Sequence, residues 1–301
     1  MMNPTRMIAL LDEDHHWWFA TRTRAILAFL DRYLGAGTGR RVLDIGCGAG
    51  NMSHHLRHYG QVVGLDNNAR PLQVARQRGV EVYEGRADDL PFGDGEFDLV
   101  ALLDTVEHVP DEDRVFDECR RVLRGAHQPA PAFTPVVDHH RSEPSAVAQD
   151  PRLGAGDRTP PSPGRRITPP AAHQAGKLLV TVPAFMFLWS NNDVINLHQR
   201  RYTAGQLRAK LESRGFKVLR ISYNNFLVFP LAASLILLRR GRSEPALSSP
   251  HCSQDAYQVE MEPAPRALNA LLDAIGRTEI SLLRRMNLPV GTSIIAIAER
   301  S

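Results

Sequence analysis

RVLDIGCGAGN, residues 41–51, is the stretch that decides how the rest of this chain is interpreted. Val42 to Ile45 predict a short buried strand, the three glycines a turn, and Met52 to His58 the start of a helix. A strand that passes through a glycine turn into a helix brings bare backbone N–H groups close to a ligand. Asp44 lies in the buried strand, where an unpaired carboxylate is costly, so we expect it to hold the turn or a cationic ligand.

The spacing of the glycines separates two families of nucleotide-binding turns. Gly46, Gly48 and Gly50 read G-x-G-x-G, whereas the dinucleotide fingerprint reads G-x-G-x-x-G. With Asp44 before it, the stretch resembles motif I of the class I S-adenosylmethionine-dependent methyltransferases. The resemblance implies an α/β, Rossmann-like, seven-stranded, mostly parallel sheet with helices on both faces and an antiparallel edge strand. It also implies S-adenosylmethionine as cofactor, with Cys47 as a small residue of the turn. A dehydrogenase remains the enzymatic alternative.

Composition excludes several function classes. A net charge of +3 over 301 residues is too small to predict nucleic-acid binding. The three cysteines (Cys47, Cys119, Cys252) give neither a disulfide framework nor a metal-ligand spacing. We therefore expect no metal cluster and a reducing, cytoplasmic location.

The segment HHWWF, residues 15–19, with Arg22 and Arg24 after it, lies in an apolar pattern of helical spacing. It predicts either a helix that packs its aromatics on the sheet or a lid in which Trp17 and Trp18 cover a pocket. The pattern H-W-W-F-x-x-R-x-R resembles the N-terminal part of bacterial small-molecule methyltransferases of the ubiquinone-biosynthesis type. In the lid interpretation Arg22 meets the carboxylate of the cofactor.

Two further segments continue the cofactor pattern. Residues 61–66 predict a second strand that ends in Asp66, placed to accept hydrogen bonds from ribose hydroxyls or, alternatively, to cap the next helix. EGRADDLPF, residues 84–92, resembles the adenine-binding loop of the family, although Arg86 stands where an acid is usual. In that loop Ala87 offers its N–H to the ring and Asp88 contacts the exocyclic amine.

A fourth strand, residues 97–103, is followed by DTVEHV, residues 104–109. Ligands sit beyond the carboxyl ends of strands in open α/β sheets, so side chains of this segment should face the site. The resemblance places Leu103 and Asp104 beside the methionine moiety. His108 is either a structural residue or a catalytic one.

Residues 178–182 predict a fifth strand. The loop that follows it is rich in aromatic and ionisable residues and resembles the substrate-side loop of the same methyltransferases. In one interpretation its aromatics wall a pocket while His198 acts on a proton, and in the other its arginines and tyrosine only fix its shape. Thr203 is expected to cap the next helix. The predicted substrate-side residues of this loop are Trp189, Asp193, Arg201 and Tyr202.

Residues 126–175 interrupt the domain with ten of the 21 prolines of the chain and little periodicity. Such a segment buries too little apolar surface to offset its ordering entropy, so it predicts a disordered insertion, or a gene-model artefact. Residues 1–125 then form the lid helix and cofactor half, and residues 176–301 form the second half of the same domain.

The second half holds a sixth strand, residues 215–223, and a last strand, residues 292–298, with a helical insertion between them at 226–288. Residues 226–238 are largely apolar and precede three arginines, which predicts a buried helix or peripheral membrane contact through 226–242. The stripe from Leu268 to Met286 predicts helix packing.

Together these patterns predict S-adenosylmethionine-dependent methyl transfer to a small-molecule acceptor in the cytoplasm or at a membrane surface. Apolar and aromatic residues on the acceptor side favour a lipid-like, quinone-like or aromatic acceptor and leave sugars and other metabolites open, with His198 or His108 as the base. The alternative is a non-catalytic S-adenosylmethionine-binding subunit or regulator.

Overall fold

The structure, a computed structural model, describes residues 11–35, 39–126, 174–238 and 265–301. The strands are β1 (Arg41–Ile45), β2 (Gln61–Asp66), β3 (Glu81–Glu84), β4 (Leu99–Leu103), β5 (Lys177–Pro183), β6 (Phe216–Asn224) and β7 (Ser293–Arg300). The helices are α1 (Trp17–Tyr33), α2 (Asn51–Leu56), α3 (Ala69–Gln77), α4 (Glu112–Val122), α5 (Asn191–Ile195), α6 (Ala204–Ser213), α7 (Phe229–Leu238) and α8 (Arg266–Leu283).

All seven strands form one sheet in the order β3-β2-β1-β4-β5-β7-β6. The pairs from β3 to β5 are parallel, while β7 lies between β5 and β6 and runs antiparallel to both. The predicted Rossmann-like sheet with its antiparallel edge is therefore confirmed. Strand order reverses between β1 and β4, which is the point where open α/β sheets bind ligands.

Helices cover both faces of the sheet, because its central strands are apolar on both sides. β4 is buried along its whole length, and β1 is buried from Val42 to Ile45. One core packs α4 and α6 through Phe116 and Leu207, and the other packs α1 and α8 through Phe29 and Leu283. Buried apolar surface on both faces thus fixes the sheet as a central layer.

Helices α1 and α8 pack closely along one another. A Cβ placed on Gly276 of α8 would lie 2.1 Å from the Thr21 hydroxyl of α1, so only glycine permits this approach. The C-terminal half of α8 buries Ile280 and Leu283. Of the packing stripe predicted from the sequence, Leu283 is buried, whereas Leu268, Leu271 and Met286 are about half exposed, so the prediction holds for only part of the stripe.

The prediction of a buried helix in residues 226–238 is wrong. Helix α7 forms there, but Ala233 is its one buried residue, and most of its leucines face outward. The apolar run indicated burial because no polar side chain interrupts it except Ser234. Among the helices that the structure describes, none is long and apolar enough to cross a membrane.

The predicted insertion lies almost wholly outside the described residues, yet its two flanks are close together. Gly176 N–H donates to the Arg124 carbonyl across 2.8 Å. Joining Gly125 directly to Gly176 would close this same bond as a three-residue turn.

We therefore expect removal of residues 126–175 to leave the melting temperature nearly unchanged, because the cost of loop closure depends weakly on length. Thermal melting of the shortened and full-length chains, followed by circular dichroism, measures this. A shortened chain that is insoluble or lacks a cooperative transition would show that the segment contributes to the fold.

Candidate functional site

A cleft of about 380 Å³ opens at the carboxyl ends of β1, β2 and β4. Predicted cofactor residues line it, namely Gly46, Gly48, Asp66, Ala87, Asp88 and Asp104, and so does His108. Sequence reasoning did not single out the further lining residues Asn67, Thr105, Val109 and Pro110. Asn67 and Thr105 lie within two residues of a strand end, which is the local signal that marks them, whereas Val109 and Pro110 lie six and seven residues beyond β4.

The glycine turn has two distinct sides. Gly46 has φ +74°, and a Cβ on it would lie 2.3 Å from Thr105 Oγ1, so packing within the protein requires this glycine. Gly48 has φ +51°, and a Cβ on it would meet no protein atom within 4 Å. The open side of the turn at Gly48 therefore faces the cleft.

Two predicted residues of the turn lie beneath its surface. Asp44 is buried, and the Ser53 hydroxyl donates to its carboxylate across 2.6 Å. Burial raises the pKa of Asp44 to about 6. Cys47 is also buried, and burial together with the charge of Asp44 raises the pKa of its thiol, which disfavours the nucleophilic thiolate.

Asp66 ties the turn to the end of β2. Its carboxylate accepts hydrogen bonds from the backbone N–H groups of Gly48 and Asn68, each across 2.9 Å. The side chain of Asn68, and not that of Asp66, caps α3 by accepting from Arg70 N–H. The carboxylate of Asp66 therefore stays at the cleft.

The 84–92 loop carries an ion pair at the cleft wall. Arg86 donates to both carboxylate oxygens of Asp88, across 2.9 and 2.6 Å. The guanidinium holds the pKa of Asp88 below its usual value. Asp88 is thus an ionised acceptor beside Ala87, although its charge is balanced by Arg86.

Helix α1 reaches the site through one ion pair. Arg22 donates to Asp104, whose carboxylate oxygen lies 2.7–2.8 Å from two guanidinium nitrogens. Asp104 has φ +53°, a conformation that non-glycine residues rarely adopt and that often marks functional sites. The Trp18 ring lies 5.9 Å from this guanidinium, whereas Trp17 is held by Asn269 of α8 through its backbone. Of the residues considered for a lid, Arg22 thus contacts a residue of the cleft wall, and Trp18 lies beside Arg22.

The two candidate histidines, ninety positions apart in the sequence, contact one another. The ring centroids of His108 and His198 lie 4.7 Å apart, edge to face. Desolvation and the neighbouring His198 lower the pKa of His108. The fold thus places the loop after β5 against the segment after β4. The two histidines considered as the base therefore lie at one site.

Asp193 is hydrogen-bonded to His198. It is fully buried, and its Oδ1 lies 2.9 Å from Nδ1 of His198. Arg201 donates to both of its oxygens, across 2.7 and 2.9 Å, which helps to hold the pKa of Asp193 well below its usual value despite burial. An ionised Asp193 accepts a hydrogen bond from Nδ1–H of His198, which leaves Nε2 as the atom that can accept a proton.

The remaining substrate-side residues fix the shape of the loop. Tyr202 is buried and donates its hydroxyl to Glu112 of α4. Arg201 also donates to the Ala184 carbonyl across 3.0 Å. Thr203 caps α6 with a reciprocal bond to Gln206, as predicted. Trp189 is half-buried and does not line the cleft.

Glu107 completes a cluster with the two histidines. Its Oε2 is buried and has no hydrogen-bond partner, and burial together with the charge of Asp104 raises its pKa. One ligand atom from each of Glu107, His108 and His198 lies within 4.8 Å of the others, so the three can hold a divalent cation. The sequence predicted no metal cluster, because His198 is remote from the other two residues along the chain.

Known proteins resemble this chain over part of its sequence. Residues 43–126 match the family described as methyltransferase domain. The chain is 35% identical over 129 residues to the ubiquinone biosynthesis O-methyltransferase of Hahella chejuensis, covering 38% of this chain and 54% of that protein. It is 39% identical over 113 residues to the sarcosine/dimethylglycine N-methyltransferase of Halorhodospira halochloris, covering 34% of this chain and 40% of that protein. The chain thus spans about half the length of the curated relatives it matches.

A solved structure resembles the fold over most of its length. It is a putative methyltransferase from Haloferax volcanii in complex with the Trm112 methyltransferase activator, with a TM-score of 0.50 and 15% identity, covering 95% of this chain and 90% of that one. The resemblance inferred from the glycine turn is confirmed by the family match. Residues 43–126 of this chain are thus similar to a methyltransferase domain.

Proposed function

We propose that this protein transfers a methyl group from S-adenosylmethionine to a small-molecule acceptor whose proton is taken by His198. The observation that supports this most directly is the meeting of two sets of residues at one edge of the sheet. The cleft with Gly48, Asp66 and Asp104 adjoins the His108–His198 pair. A nucleotide pocket that adjoins an oriented base fits group transfer better than binding alone.

The residues of the cleft fit the parts of S-adenosylmethionine. The bare backbone at Gly48 leaves room for a close approach, and Asp66 offers carboxylate oxygens to ribose hydroxyls. Arg22 and Asp104 offer one charge of each sign to an amino-acid group. Ala87 and Asp88 offer an N–H and an acceptor to the adenine. When bound, the cofactor supplies an already activated methyl group, so the chain mainly aligns the acceptor.

His198 is the better candidate for the base. Asp193 fixes its Nδ1 proton and leaves Nε2 free to accept a proton, and this arrangement also stabilises the imidazolium that forms. His108 has no carboxylate partner of this kind among the described hydrogen bonds, and its pKa is lowered. A lowered pKa makes the ring a weaker base.

We further propose that the acceptor is lipid-like, quinone-like or aromatic. Beyond the end of β5, the Phe185 ring stacks on Tyr223 at 4.9 Å and on Phe187 at 5.1 Å. Phe185 has φ +57°, so the backbone holds this ring in place at some conformational cost. Phe185 and Phe187 belong to the same loop after β5 as His198, and stacked rings there can offer an apolar wall to an acceptor.

Isothermal titration calorimetry followed by a methyl-transfer assay tests the proposal. We expect S-adenosylmethionine and its demethylated product to bind and the nicotinamide nucleotides not to bind. Turnover is then sought with a panel of catechols, quinols and phenols. Tight nicotinamide binding without S-adenosylmethionine binding would contradict the proposal. Cofactor binding without turnover on a wide acceptor panel would favour the non-catalytic alternative.

The pKa of Asp44 predicts how binding depends on pH. The cofactor carries positive charge, so it favours ionised Asp44. Because the pKa of Asp44 in the free protein is about 6, the carboxylate is already ionised above that pH and must lose a proton on binding below it. Affinity for S-adenosylmethionine should therefore be constant above neutral pH and fall by up to about tenfold per pH unit below pH 6.

Calorimetry of S-adenosylmethionine binding from pH 5 to 8 measures this dependence. An Asp44→Asn variant with the same pH profile as the unmodified protein would show that another group is responsible.

A further inference from the structure

We propose that helix α7 is a docking surface for a lipid bilayer with anionic headgroups. The helix stands apart from the core, since Ala233 is its one buried residue. Three leucines, Leu231, Leu235 and Leu238, project at spacings of four and three residues, and they are 62%, 44% and 75% exposed. Residues at this spacing lie on one helix face, so the helix presents a continuous apolar stripe to its surroundings.

The chemistry of α7 suits an apolar phase more than contact with a polar partner. Its one hydroxyl, on Ser234, donates to the Pro230 carbonyl across 2.7 Å, so it needs no water. Pro230 has no N–H to satisfy at the start of the helix. No side chain of α7 is charged. The helix can therefore enter an acyl layer without leaving a polar side-chain group unpaired.

The length and charge of the segment favour the surface of the bilayer. Ten residues of helix extend about 15 Å, half of the roughly 30 Å of a hydrocarbon core, so α7 can only lie in the interface. The sequence from 214 to 243 contains no acidic residue, and Arg239, Arg240 and Arg242 follow the last helical residue. Such basic positions next to an apolar helix complement anionic headgroups.

A second exposed apolar segment extends the surface. The 3₁₀ turn at Met186–Leu188 packs against α7, and its Met186 and Phe187 are about half exposed. The ring centroid of Phe229 in α7 lies 6.1 Å from that of Phe185, which belongs to the aromatic stack in the proposed acceptor loop. The docking surface is therefore continuous with the proposed acceptor side, although the docking itself does not depend on methyl transfer.

Vesicle co-sedimentation of the full chain tests the proposal. We expect binding to phosphatidylglycerol/phosphatidylcholine vesicles that exceeds binding to phosphatidylcholine alone, and a loss of at least tenfold in the Leu231→Glu/Leu235→Glu variant. The matched control is Leu268→Glu/Leu271→Glu on α8, which changes two exposed leucines elsewhere and should bind as the unmodified chain does. Thermal melting verifies that both variants are folded.

Two results would overturn the proposal. The first is a sedimentation assay in which α7 has no effect: either the unmodified chain stays in the supernatant with both kinds of vesicle, or the α7 variant sediments as the unmodified chain does. The other is a dimer, seen by light scattering without vesicles, that the α7 variant converts to a monomer while vesicle binding is absent. That result would assign the stripe to a second copy of the chain. Because sedimentation is read without substrate, it stands apart from any failure of the methyl-transfer assay.

Discussion

Replacing His198 with alanine is expected to lower methyl transfer by about 10²–10⁴-fold, the usual range for a positioned acid–base group. Cofactor affinity should change little, because His198 does not line the cleft. The fold should persist, since Asp193 keeps both of its bonds to Arg201. The measurement pairs calorimetry of S-adenosylmethionine with turnover on the acceptor that the screen identifies.

Three comparison variants sharpen this test. His198→Asn keeps a hydrogen-bond donor toward Asp193 but has no basic ring nitrogen, so it should be as inactive as the alanine variant. His108→Ala should lose less activity, and His58→Ala, outside the cleft, should lose none. Full activity of His198→Ala together with an inactive His108→Ala that still binds cofactor would reverse the assignment.

A metal ion held by Glu107, His108 and His198 is a second way to explain a loss of activity in His198→Ala. The same methyl-transfer assay can distinguish it from loss of the base. If the histidines act by holding a divalent cation, a chelator should abolish the activity of the unmodified chain, and added cation should restore it. If His198 acts as the base, activity should be insensitive to chelator. Activity assays with and without chelator therefore decide between proton removal and metal binding.

Exchanging Gly48 for alanine is expected to weaken S-adenosylmethionine binding by roughly 10–100-fold, because forcing a methyl group into occupied space costs about 1–3 kcal/mol. The protein should still fold, since a Cβ at this position meets no protein atom within 4 Å. Because alanine is strained in the left-handed backbone at φ +51°, the substitution should lower the free energy of unfolding by about 1–2 kcal/mol. Calorimetry and denaturant unfolding measure the two effects separately.

Gly35 is the matched control for this strain. It has φ +65°, a Cβ on it would also meet nothing within 4 Å, and it lies outside the cleft. Gly35→Ala should therefore lower stability as Gly48→Ala does, yet bind the cofactor normally. Equal cofactor affinity of the two variants would show that the turn at Gly48 does not approach the cofactor.

The cofactor half was predictable because its signals are local. The glycines, the acid that ends β2 and the acid that follows β4 each stand at a strand end, so the pattern of strands is enough to bring them to one edge. The strand order itself came with the family resemblance and not from periodicity. The sequence left open whether Asp66 binds ribose or caps the next helix, and the hydrogen bonds of the structure were needed to show that Asn68 is the cap.

The acceptor half was less predictable because its contacts are long-range. Nothing near His198 in the sequence indicates that its ring meets that of His108 edge to face, or that its hydrogen-bond partner Asp193 is fully buried. The apolar run of α7 was assigned to the core on hydropathy alone. Hydropathy indicates that a segment prefers to leave water, but it does not say whether protein or another apolar phase receives it.

The position of β7 implies an order of events during synthesis. β7 follows β6 in the chain but lies between β5 and β6, so neither of those strands has its pairing partner on that side until β7 has been made. Strands β1 to β4, together with the glycine turn, need no later segment for their mutual pairing. The base of the acceptor loop does need one, because Ala184 N–H donates to the Thr292 carbonyl just before β7. A nascent chain on the ribosome would thus assemble the cofactor-side strands first and expose an unpaired β5 edge until the last strand arrives.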